Sequence, residues 1–250
     1  MSNQSRANAN DVWNRGVFSA LRTIFHMIAA LQFWYAVYYD FTFVKVPEQH
    51  HRMGNNFGGK FKYLTFLDAI IQAIYFTISL TNDFIGTNEV APKTVPKIRK
   101  IKDFVLATFA FPLAFNVGIS FWTLMAIDRE LVFPKVLDLF FPSWLNHVMH
   151  TNIMVFILLE MFISFRIYPK RSKGLQGLLL FLLSYLVWLH FIKYMSGVWV
   201  YPVLDVLDLP QRIGFFVVVL LFTISVYIAG EFINNKIWTK ELKLAMRKHK

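Results

Sequence analysis

Long apolar runs recur along the chain and alternate with short polar segments. The apolar runs cover residues 17–39, 61–81, 104–127, 144–165, 175–195 and 213–233. Each holds about 20 residues, which is enough for a helix that rises about 1.5 Å per residue to cross a hydrocarbon core of about 30 Å. Pro112 lies within the third run and is expected to kink its helix, because proline removes a backbone hydrogen bond. The pattern predicts an all-α, polytopic integral membrane protein, built as a bundle of six transmembrane helices.

Lysine and arginine are distributed unevenly over the polar segments. Seventeen lie in segments on the side of the N-terminus, and seven lie on the opposite side. Cytosolic loops of membrane proteins carry the excess of positive charge, so both termini are predicted to be cytosolic. The chain then divides into a polar cytosolic N-terminal segment (1–16), a six-helix membrane domain (17–238) and a basic cytosolic tail (239–250).

The C-terminal sequence RKHK resembles a dilysine-type retrieval signal of the endoplasmic reticulum. Arg247 and Lys248 occupy the fourth and third positions from the end. Ordinary positive-inside charge is the alternative explanation. We therefore expect a multi-pass protein of the endoplasmic reticulum or the plasma membrane.

Composition narrows the function classes. Charged residues make up only 16% of the chain, against roughly 25% in soluble domains, which agrees with a membrane protein. The net charge of +11 does not indicate nucleic-acid binding, because the cations lie between apolar runs rather than in a basic patch interleaved with aromatics. The chain has no cysteine, which excludes disulfides, thiolate metal sites and cysteine nucleophiles.

Several polar side chains lie inside the apolar runs, near the membrane face opposite the termini. They are Thr65 and Asp68 in the second run, Asn146, His147 and His150 in the fourth, and His190 in the fifth. By helical rise, Thr65 lies roughly 6 Å inside the entrance of its run, and His150 and His190 lie roughly 9 Å inside theirs. Residues three or four apart share a helix face, so Asp68 falls on the face of Thr65. The group is therefore expected at one level of the lumenal leaflet.

Each of these residues also has a purely structural explanation. A membrane threonine often bonds the backbone of its own helix, and a membrane histidine often bridges neighbouring helices. Asp68 is harder to explain, because a carboxylate within the leaflet is costly unless it is paired or protonated. We expect Asp68 to orient a histidine or to pair with a cation. Glu160 and Glu231 are expected to form interhelical hydrogen bonds.

A cluster of polar side chains in a membrane protein can serve as a metal centre or as a site of nucleophilic catalysis. A metal centre is disfavoured, because the seven histidines form one H-x-x-H and one isolated pair, and no H-E-x-x-H occurs; no metal and no cofactor are therefore expected. Nucleophilic catalysis needs a nucleophile with a base in reach. An internal threonine has no free α-amine, so a histidine must take its proton. Thr65 with His150 and Thr65 with His190 both satisfy this requirement.

Several segments of the chain resemble one protein family. They are KYLTFLDAIIQAIYF, AFPLAF, DRELVFPKVLD, WLNHVMHT, YPKRSKGL, GVWVYPVLD and GEFINNKIW, which occur in family order over nearly the whole chain. In these segments the chain resembles the androgen-induced gene family of membrane threonine hydrolases. The resemblance implies hydrolysis of fatty acid esters of hydroxy fatty acids (FAHFAs). It also implies that Thr65, in KYLTFLD, is the nucleophile and that His150, the second histidine of WLNHVMHT, is the base.

The remaining polar residues, Asp68, Asn146, His147 and His190, are expected to support catalysis or to bind substrate. Asn146 and His147 are candidate oxyanion donors, whereas His190 has no counterpart in the family pattern. The expected partners are a lipid ester substrate and the bilayer, with no nucleic acid and no metal; protein partners are not indicated. The alternative function is a non-catalytic multispan membrane protein that binds a lipid or a partner and regulates it. A small transporter is disfavoured, because no internal repeat is evident.

Overall fold

The computed structural model describes residues 16–47 and 57–247, and this part of the chain is helical without strands. The long helices are α1 (Gly16–Phe43), α2 (Leu64–Ile85), α3 (Lys97–Ile127), α4 (Ser143–Ile163), α5 (Arg171–Ser196) and α7 (Leu209–Ile237). The short helices α6 (Val203–Val206) and α8 (Thr239–Arg247) flank α7. Within the described residues, these six long helices have the length and apolar composition needed to cross a membrane. The prediction of an all-α bundle with six spans is confirmed.

Two predicted segments lie partly outside the described residues. They are the polar N-terminal segment, of which only Gly16 is described, and the retrieval-type signal, whose Lys248 is not described. The predicted basic tail is helical from Thr239 to Arg247. The preceding Trp238 is buried, with its ring 5.7 Å from that of Phe165. The residue next to the tail is therefore packed into the bundle.

The outer surface of the bundle is rich in large apolar side chains. Leu180, Val187 and Val218 are 70%, 69% and 65% exposed. Apolar surface of this extent is unfavourable in water, but it suits contact with lipid. The chain is therefore a multi-pass integral membrane protein.

Two ion pairs mark one end of the bundle. Arg22 near the start of α1 lies 3.1 Å from Asp83 near the end of α2. Arg171 at the start of α5 lies 2.7 Å from Glu231 near the end of α7, which confirms the interhelical bond expected of Glu231. We call this the terminal end, because the described chain starts and finishes there. Thr65, at the start of α2, lies at the opposite, distal end.

A buried ion cluster joins α1, α2 and α4 at the terminal end. His26 of α1 lies between two carboxylates, 2.6 Å from Asp83 Oδ2 and 2.8 Å from Glu160 Oε2. Glu160 also accepts hydrogen bonds from Tyr75 at 2.6 Å and from Arg166 at 3.3 Å. Buried charges are tolerated only when they are paired in this way. The interhelical hydrogen bonds expected of Glu160 are therefore confirmed.

In the described chain, α3 and α4 each contain a wide π turn. The turn in α3 covers Leu106–Ala110 and ends just before Pro112. A proline ring clashes with the carbonyl of the fourth residue before it, so the predicted irregularity at Pro112 takes the form of this wider turn. The turn in α4 covers Val148–Asn152 and contains His150. Such turns frequently occur at functional sites.

Helices α3 and α4 approach each other closely at Gly118. A Cβ atom on this residue would lie 2.6 Å from the carbonyl oxygen of His150, so a larger side chain would push α4 away. The close approach brings Phe121 of α3 against the imidazole of His150, with ring centroids 3.6 Å apart. Gly118 therefore sets the distance between the helix that carries His150 and its neighbour.

Candidate active site

Thr65 and His150 meet at the distal end of the bundle. Thr65 is the second residue of α2, and His150 lies in the π turn of α4. Oγ1 of Thr65 lies 3.2 Å from Nε2 of His150, which is within hydrogen-bonding distance. The structure thus brings together two polar residues that are 85 positions apart in the sequence.

The second ring nitrogen of His150 determines its tautomer. Nδ1 lies 3.0 Å from the backbone carbonyl oxygen of Asn146. A carbonyl oxygen can only accept, so Nδ1 carries the proton when the ring is neutral. Nε2 then holds the lone pair and accepts the hydroxyl proton of Thr65. This is the arrangement of a general base that faces a nucleophile.

The imidazole of His150 is also held by packing. The ring of Phe121 stacks on it at an interplanar angle of 15°, and His150 is only 4% exposed. The stack and the hydrogen bond to Asn146 leave the ring little freedom to rotate. Nε2 therefore stays directed at Thr65.

Two tyrosines hold the start of α2. The hydroxyl of Tyr201 accepts the backbone N–H of Leu64 at 2.8 Å, which is one of the first N–H groups of the helix and has no partner inside it. Tyr201 lies 2.8 Å from the hydroxyl of Tyr185, which donates to the carbonyl of Lys62 at 2.9 Å. Burial raises the pKa of Tyr201, so its hydroxyl stays protonated near neutral pH. The two tyrosines therefore fix the residue next to Thr65.

An apolar cavity of about 420 Å³ lies beside Thr65 and is walled largely by α3, α5 and α7. Most of its wall consists of leucine, valine and phenylalanine side chains. Its polar side chains are those of Thr65, Asn116, Ser120, Tyr185, His190 and Tyr201. A cavity with this volume and lining suits an apolar ligand that is oriented by a few polar groups.

A smaller cavity of about 100 Å³ also includes Thr65 in its wall. His150 contributes to the same wall, and so do Asp40 and Lys60, which form an ion pair at 2.7 Å. Burial and the charge of Lys60 together lower the pKa of Lys62 to about 8. The hydroxyl of Thr65 therefore lies where an apolar cavity meets a smaller one that contains charged groups.

Asp68 and His147 lie apart from the Thr65–His150 contact. Asp68 is buried one turn deeper in α2, where Oδ1 accepts a hydrogen bond from Gln72 at 2.9 Å and Oδ2 has no hydrogen-bond partner among the described residues. Among the described residues, Asp68 therefore contacts neither a histidine nor a cation. His147 is exposed, and its ring stacks 5.5 Å from that of Trp122. Its Nδ1 lies 3.3 Å from Oγ1 of Thr151 in the same helix.

His190 lines the larger cavity without reaching Thr65. Its Nδ1 bonds the carbonyl of Leu186 in its own helix at 2.8 Å, and its ring packs against Trp199. The sequence left open whether His150 or His190 is the base for Thr65. In the structure it is His150 that lies within hydrogen-bonding distance of Thr65. Asn146 contributes its backbone carbonyl rather than its side chain. Within the described residues, no group of three or more His, Cys, Asp and Glu side chains is arranged to hold a metal ion.

Sequence reasoning missed Phe121, Tyr185 and Tyr201. Tyr201 lies in the segment GVWVYP, and its place in this specific motif could have indicated a role at the site. Phe121 and Tyr185 stand in apolar runs that hold many aromatic residues. Nothing in such a run separates a ring that supports a site from a ring that faces lipid.

Comparison with known proteins gives one family. A family model described as FAR-17a/AIG1-like protein matches residues 21–235. The androgen-induced gene 1 protein of Homo sapiens is 38% identical over 200 residues, which cover 78% of this chain and 84% of that protein. The androgen-dependent TFPI-regulating protein of Mesocricetus auratus is 37% identical over 193 residues, covering 77% and 83%. A UPF0641 membrane protein of Schizosaccharomyces pombe is 25% identical over 184 residues, covering 72% and 77%.

No solved structure matches the chain at a significant level. The range matched by the family model runs from α1 to the end of α7 and includes both Thr65 and His150. The match covers most of the chain, and it agrees with the family resemblance of the sequence segments. This chain belongs to the FAR-17a/AIG1-like family of membrane proteins.

Proposed function

We propose that this protein is a membrane-embedded lipid hydrolase that cleaves the ester bond of FAHFAs, with Thr65 as nucleophile and His150 as base. The observation that carries the proposal is the 3.2 Å contact between Thr65 Oγ1 and Nε2 of His150, whose Nδ1 is engaged by a carbonyl. A hydroxyl that donates to an oriented histidine is what acyl transfer requires. The family resemblance supplies the substrate class.

The proposed reaction has two stages. Thr65 Oγ1 attacks the ester carbonyl carbon while Nε2 of His150 takes the hydroxyl proton. The ester C–O bond then breaks, and His150 returns the proton to the departing hydroxy fatty acid. Water attacks the acyl-threonine, His150 takes a proton from it, and Thr65 regains that proton as the fatty acid leaves. A positioned base of this kind contributes about 10²–10⁴-fold.

The position of Thr65 in α2 supports this chemistry. The N-terminal end of a helix carries partial positive charge, and Thr65 is the second residue of its helix. Fixed positive charge near the reacting atoms stabilises the negative charge that develops during attack. A threonine in the middle of the same helix would lack this effect.

The cavities support a lipid substrate. The acyl chain is accommodated in the larger, apolar cavity, and the ester lies at Thr65, where the two cavities meet. If the termini are cytosolic, as the lysine and arginine distribution indicates, the site faces the lumenal or extracellular leaflet. We accordingly place the enzyme in the endoplasmic reticulum or the plasma membrane, with water entering from that side.

A non-catalytic function is the second candidate, in which the protein binds a lipid or a partner and regulates it. The name of one relative, the androgen-dependent TFPI-regulating protein, describes regulation. Under this hypothesis the Thr65–His150 contact serves only to join α2 and α4. The two candidates differ in whether ester bonds are cleaved.

Hydrolysis of a defined FAHFA panel by purified protein in detergent tests the proposal. Wild type is expected to release the fatty acid and the hydroxy fatty acid, whereas Thr65→Ala and His150→Ala lose turnover. A fluorophosphonate probe is expected to label wild type and to spare Thr65→Ala. Both readouts report the hydroxyl and its base directly.

Thr81 provides a matched control on the same helix. Its hydroxyl bonds the carbonyl of Thr77 at 2.8 Å, far from the cavity. Thr81→Ala is expected to keep wild-type turnover and labelling. Normal turnover in a folded Thr65→Ala or His150→Ala variant would contradict the hydrolase proposal and leave the lipid-binding function.

A further inference from the structure

Asn116 of α3 lies in the wall of the larger cavity and is 2% exposed. Its Oδ1 accepts a hydrogen bond from Ser120 Oγ at 3.2 Å. Its Nδ2 has no hydrogen-bond partner in the described chain. A buried N–H group without an acceptor is unfavourable, so an asparagine at this place calls for an explanation.

Asn116 lies at the depth of Thr65. Helices α2 and α3 run in opposite directions and are joined by a hydrogen bond from Gln72 Nε2 to the carbonyl of Ala110 at 2.9 Å. From this contact, Thr65 lies seven residues toward the distal end along α2, and Asn116 lies six residues toward it along α3. Both spacings correspond to a rise of roughly 10 Å. The two side chains therefore reach the same level of the cavity that they share.

The other polar side chains of this wall are already engaged. Ser120 donates to Asn116, and the hydroxyls of Tyr185 and Tyr201 hydrogen-bond each other while they hold the start of α2. His190 uses Nδ1 on its own helix and is exposed. Among the described residues that line the cavity, Nδ2 of Asn116 is thus the buried N–H donor left for a ligand.

We propose that Asn116 is an oxyanion donor, whose Nδ2 hydrogen-bonds the ester carbonyl oxygen of the lipid while Thr65 attacks the carbonyl carbon. This inference rests on the proposed hydrolase function and adds to it the group that binds the carbonyl. Asn146 and His147, which the sequence suggested for this role, line neither cavity. Asn116 is therefore the catalytic residue that replaces them.

The chemistry suits a neutral amide. As the bond between Thr65 and the carbonyl carbon forms, the π electrons of the carbonyl move to its oxygen, and Nδ2 of Asn116 stabilises the resulting negative charge. On collapse, the electrons return and the ester C–O bond breaks, so Asn116 neither gains nor loses a proton. A neutral donor can be buried in an apolar wall without the cost of a buried charge, and it binds the oxyanion more strongly than the ground-state carbonyl.

Replacement of the amide by an apolar side chain of similar size tests the inference. Asn116→Leu is expected to lower kcat for FAHFA hydrolysis by about 10²–10³-fold while KM changes little, because the donor acts mainly in the transition state. The rate at which a fluorophosphonate labels Thr65 falls in parallel, since the phosphoryl oxygen takes the place of the carbonyl oxygen. Asn116→Ala is expected to behave alike, and its smaller side chain provides a second test of whether packing matters.

Asn234 offers a matched control, because it is a fully buried asparagine of α7 at the terminal end, away from the cavity. Asn234→Leu is expected to keep wild-type kcat and labelling. All rates are expressed per folded protein recovered as a single size-exclusion peak.

The outcomes separate the two proposals. Wild-type kcat and labelling in a folded Asn116→Leu or Asn116→Ala variant, together with an inactive Thr65→Ala, would overturn the role of Asn116 and leave the hydrolase proposal intact. A loss that appears only in KM would overturn it too, because it indicates ground-state binding. Absence of turnover in wild type would overturn both proposals.

Discussion

At the scale of single residues, the candidate site holds its histidine with a backbone carbonyl. In serine hydrolases a carboxylate orients the histidine and stabilises the imidazolium that forms. Here the carbonyl of Asn146 takes the place of that group at Nδ1 of His150. A carbonyl orients the ring as well as a carboxylate does, but it carries no net charge. The transition state must then gain more of its stabilisation at the oxyanion, from the helix N-terminus at Thr65 and from the proposed oxyanion donor.

Replacements of Thr65 should separate the hydroxyl from the space it fills. Thr65→Val keeps the shape of the side chain and removes the hydroxyl, so turnover should fall to the level without enzyme. Thr65→Ser keeps the hydroxyl and should retain measurable turnover, reduced because the smaller side chain rotates more freely. The measurement is FAHFA hydrolysis together with fluorophosphonate labelling. Equal turnover in Thr65→Val and wild type would contradict the nucleophile assignment.

Phe121 should affect catalysis through the position of His150. Phe121→Leu removes the ring that stacks 3.6 Å from the imidazole, and a small displacement of a reacting group costs up to about 100-fold in rate. We expect a fall in kcat per folded protein of about tenfold to 100-fold, together with some loss of thermal stability because Phe121 is buried in the core, measured by hydrolysis and thermal unfolding. The control is Phe232→Leu, because Phe232 is 66% exposed on α7 and should leave both quantities unchanged.

The sequence predicted Thr65 and His150 because both are polar residues in apolar helices at similar depth, and because the family resemblance pointed to them. It did not single out Asn116, although this is also a polar residue in an apolar run, and it could not predict Phe121, which is one of many apolar residues on α3. The π turn at Leu106–Ala110 also shifts the helix faces beyond it. Which face of α3 borders the cavity therefore depends on helix packing, which the hydrophobic periodicity of the sequence does not indicate.

At the scale of elements, the entrance of α2 depends on Tyr201. Tyr201→Phe leaves the N–H of Leu64 without its acceptor, and an unsatisfied buried donor costs about 1–3 kcal/mol. We expect lower thermal stability in detergent and a lower kcat, because Thr65 is the next residue. A kcat equal to wild type would show that the two tyrosines do not position the nucleophile.

Tyr227 provides the matched control for this hydroxyl. It is fully buried on α7, and its hydroxyl has no hydrogen-bond partner among the described residues. Tyr227→Phe removes a polar atom that forms no hydrogen bond, so stability should stay the same or rise. Thermal unfolding of the two variants side by side distinguishes a lost hydrogen bond from the mere loss of an oxygen atom.

The helices themselves were largely predictable. The hydrophobic runs locate all six long helices to within several residues, because length and apolar composition alone decide whether a segment can span a bilayer. The π turns were not predictable from the same pattern. Pro112 indicated an irregularity in α3, but no proline or glycine accompanies the turn that carries His150 in α4.

At the scale of the whole molecule, the two polar regions lie at opposite ends of the bundle and should have separate roles. Glu160→Ala leaves His26 and Arg166 without their shared carboxylate, and breaking a buried ion pair in this way costs about 3–5 kcal/mol. We expect a marked fall in thermal stability in detergent, while kcat per folded protein stays near that of wild type. A large loss of kcat in correctly folded Glu160→Ala would instead show that the two ends are coupled.

The orientation of the molecule decides from which side water and substrate reach Thr65. Exposed lysines and arginines at the terminal end include Lys93, Lys97, Lys170, Arg171 and Lys173, and such residues favour the cytosolic side. A glycosylation tag inserted between residues 91 and 95 is therefore expected to stay unmodified in cells, whereas a tag in the 128–142 connection is expected to be modified. The readout is the endoglycosidase-sensitive shift of each tagged protein on a gel. The reverse pattern would place Thr65 and both cavities in the cytosolic leaflet, which would contradict the lumenal site and move the hydrolysis to the opposite face of the membrane.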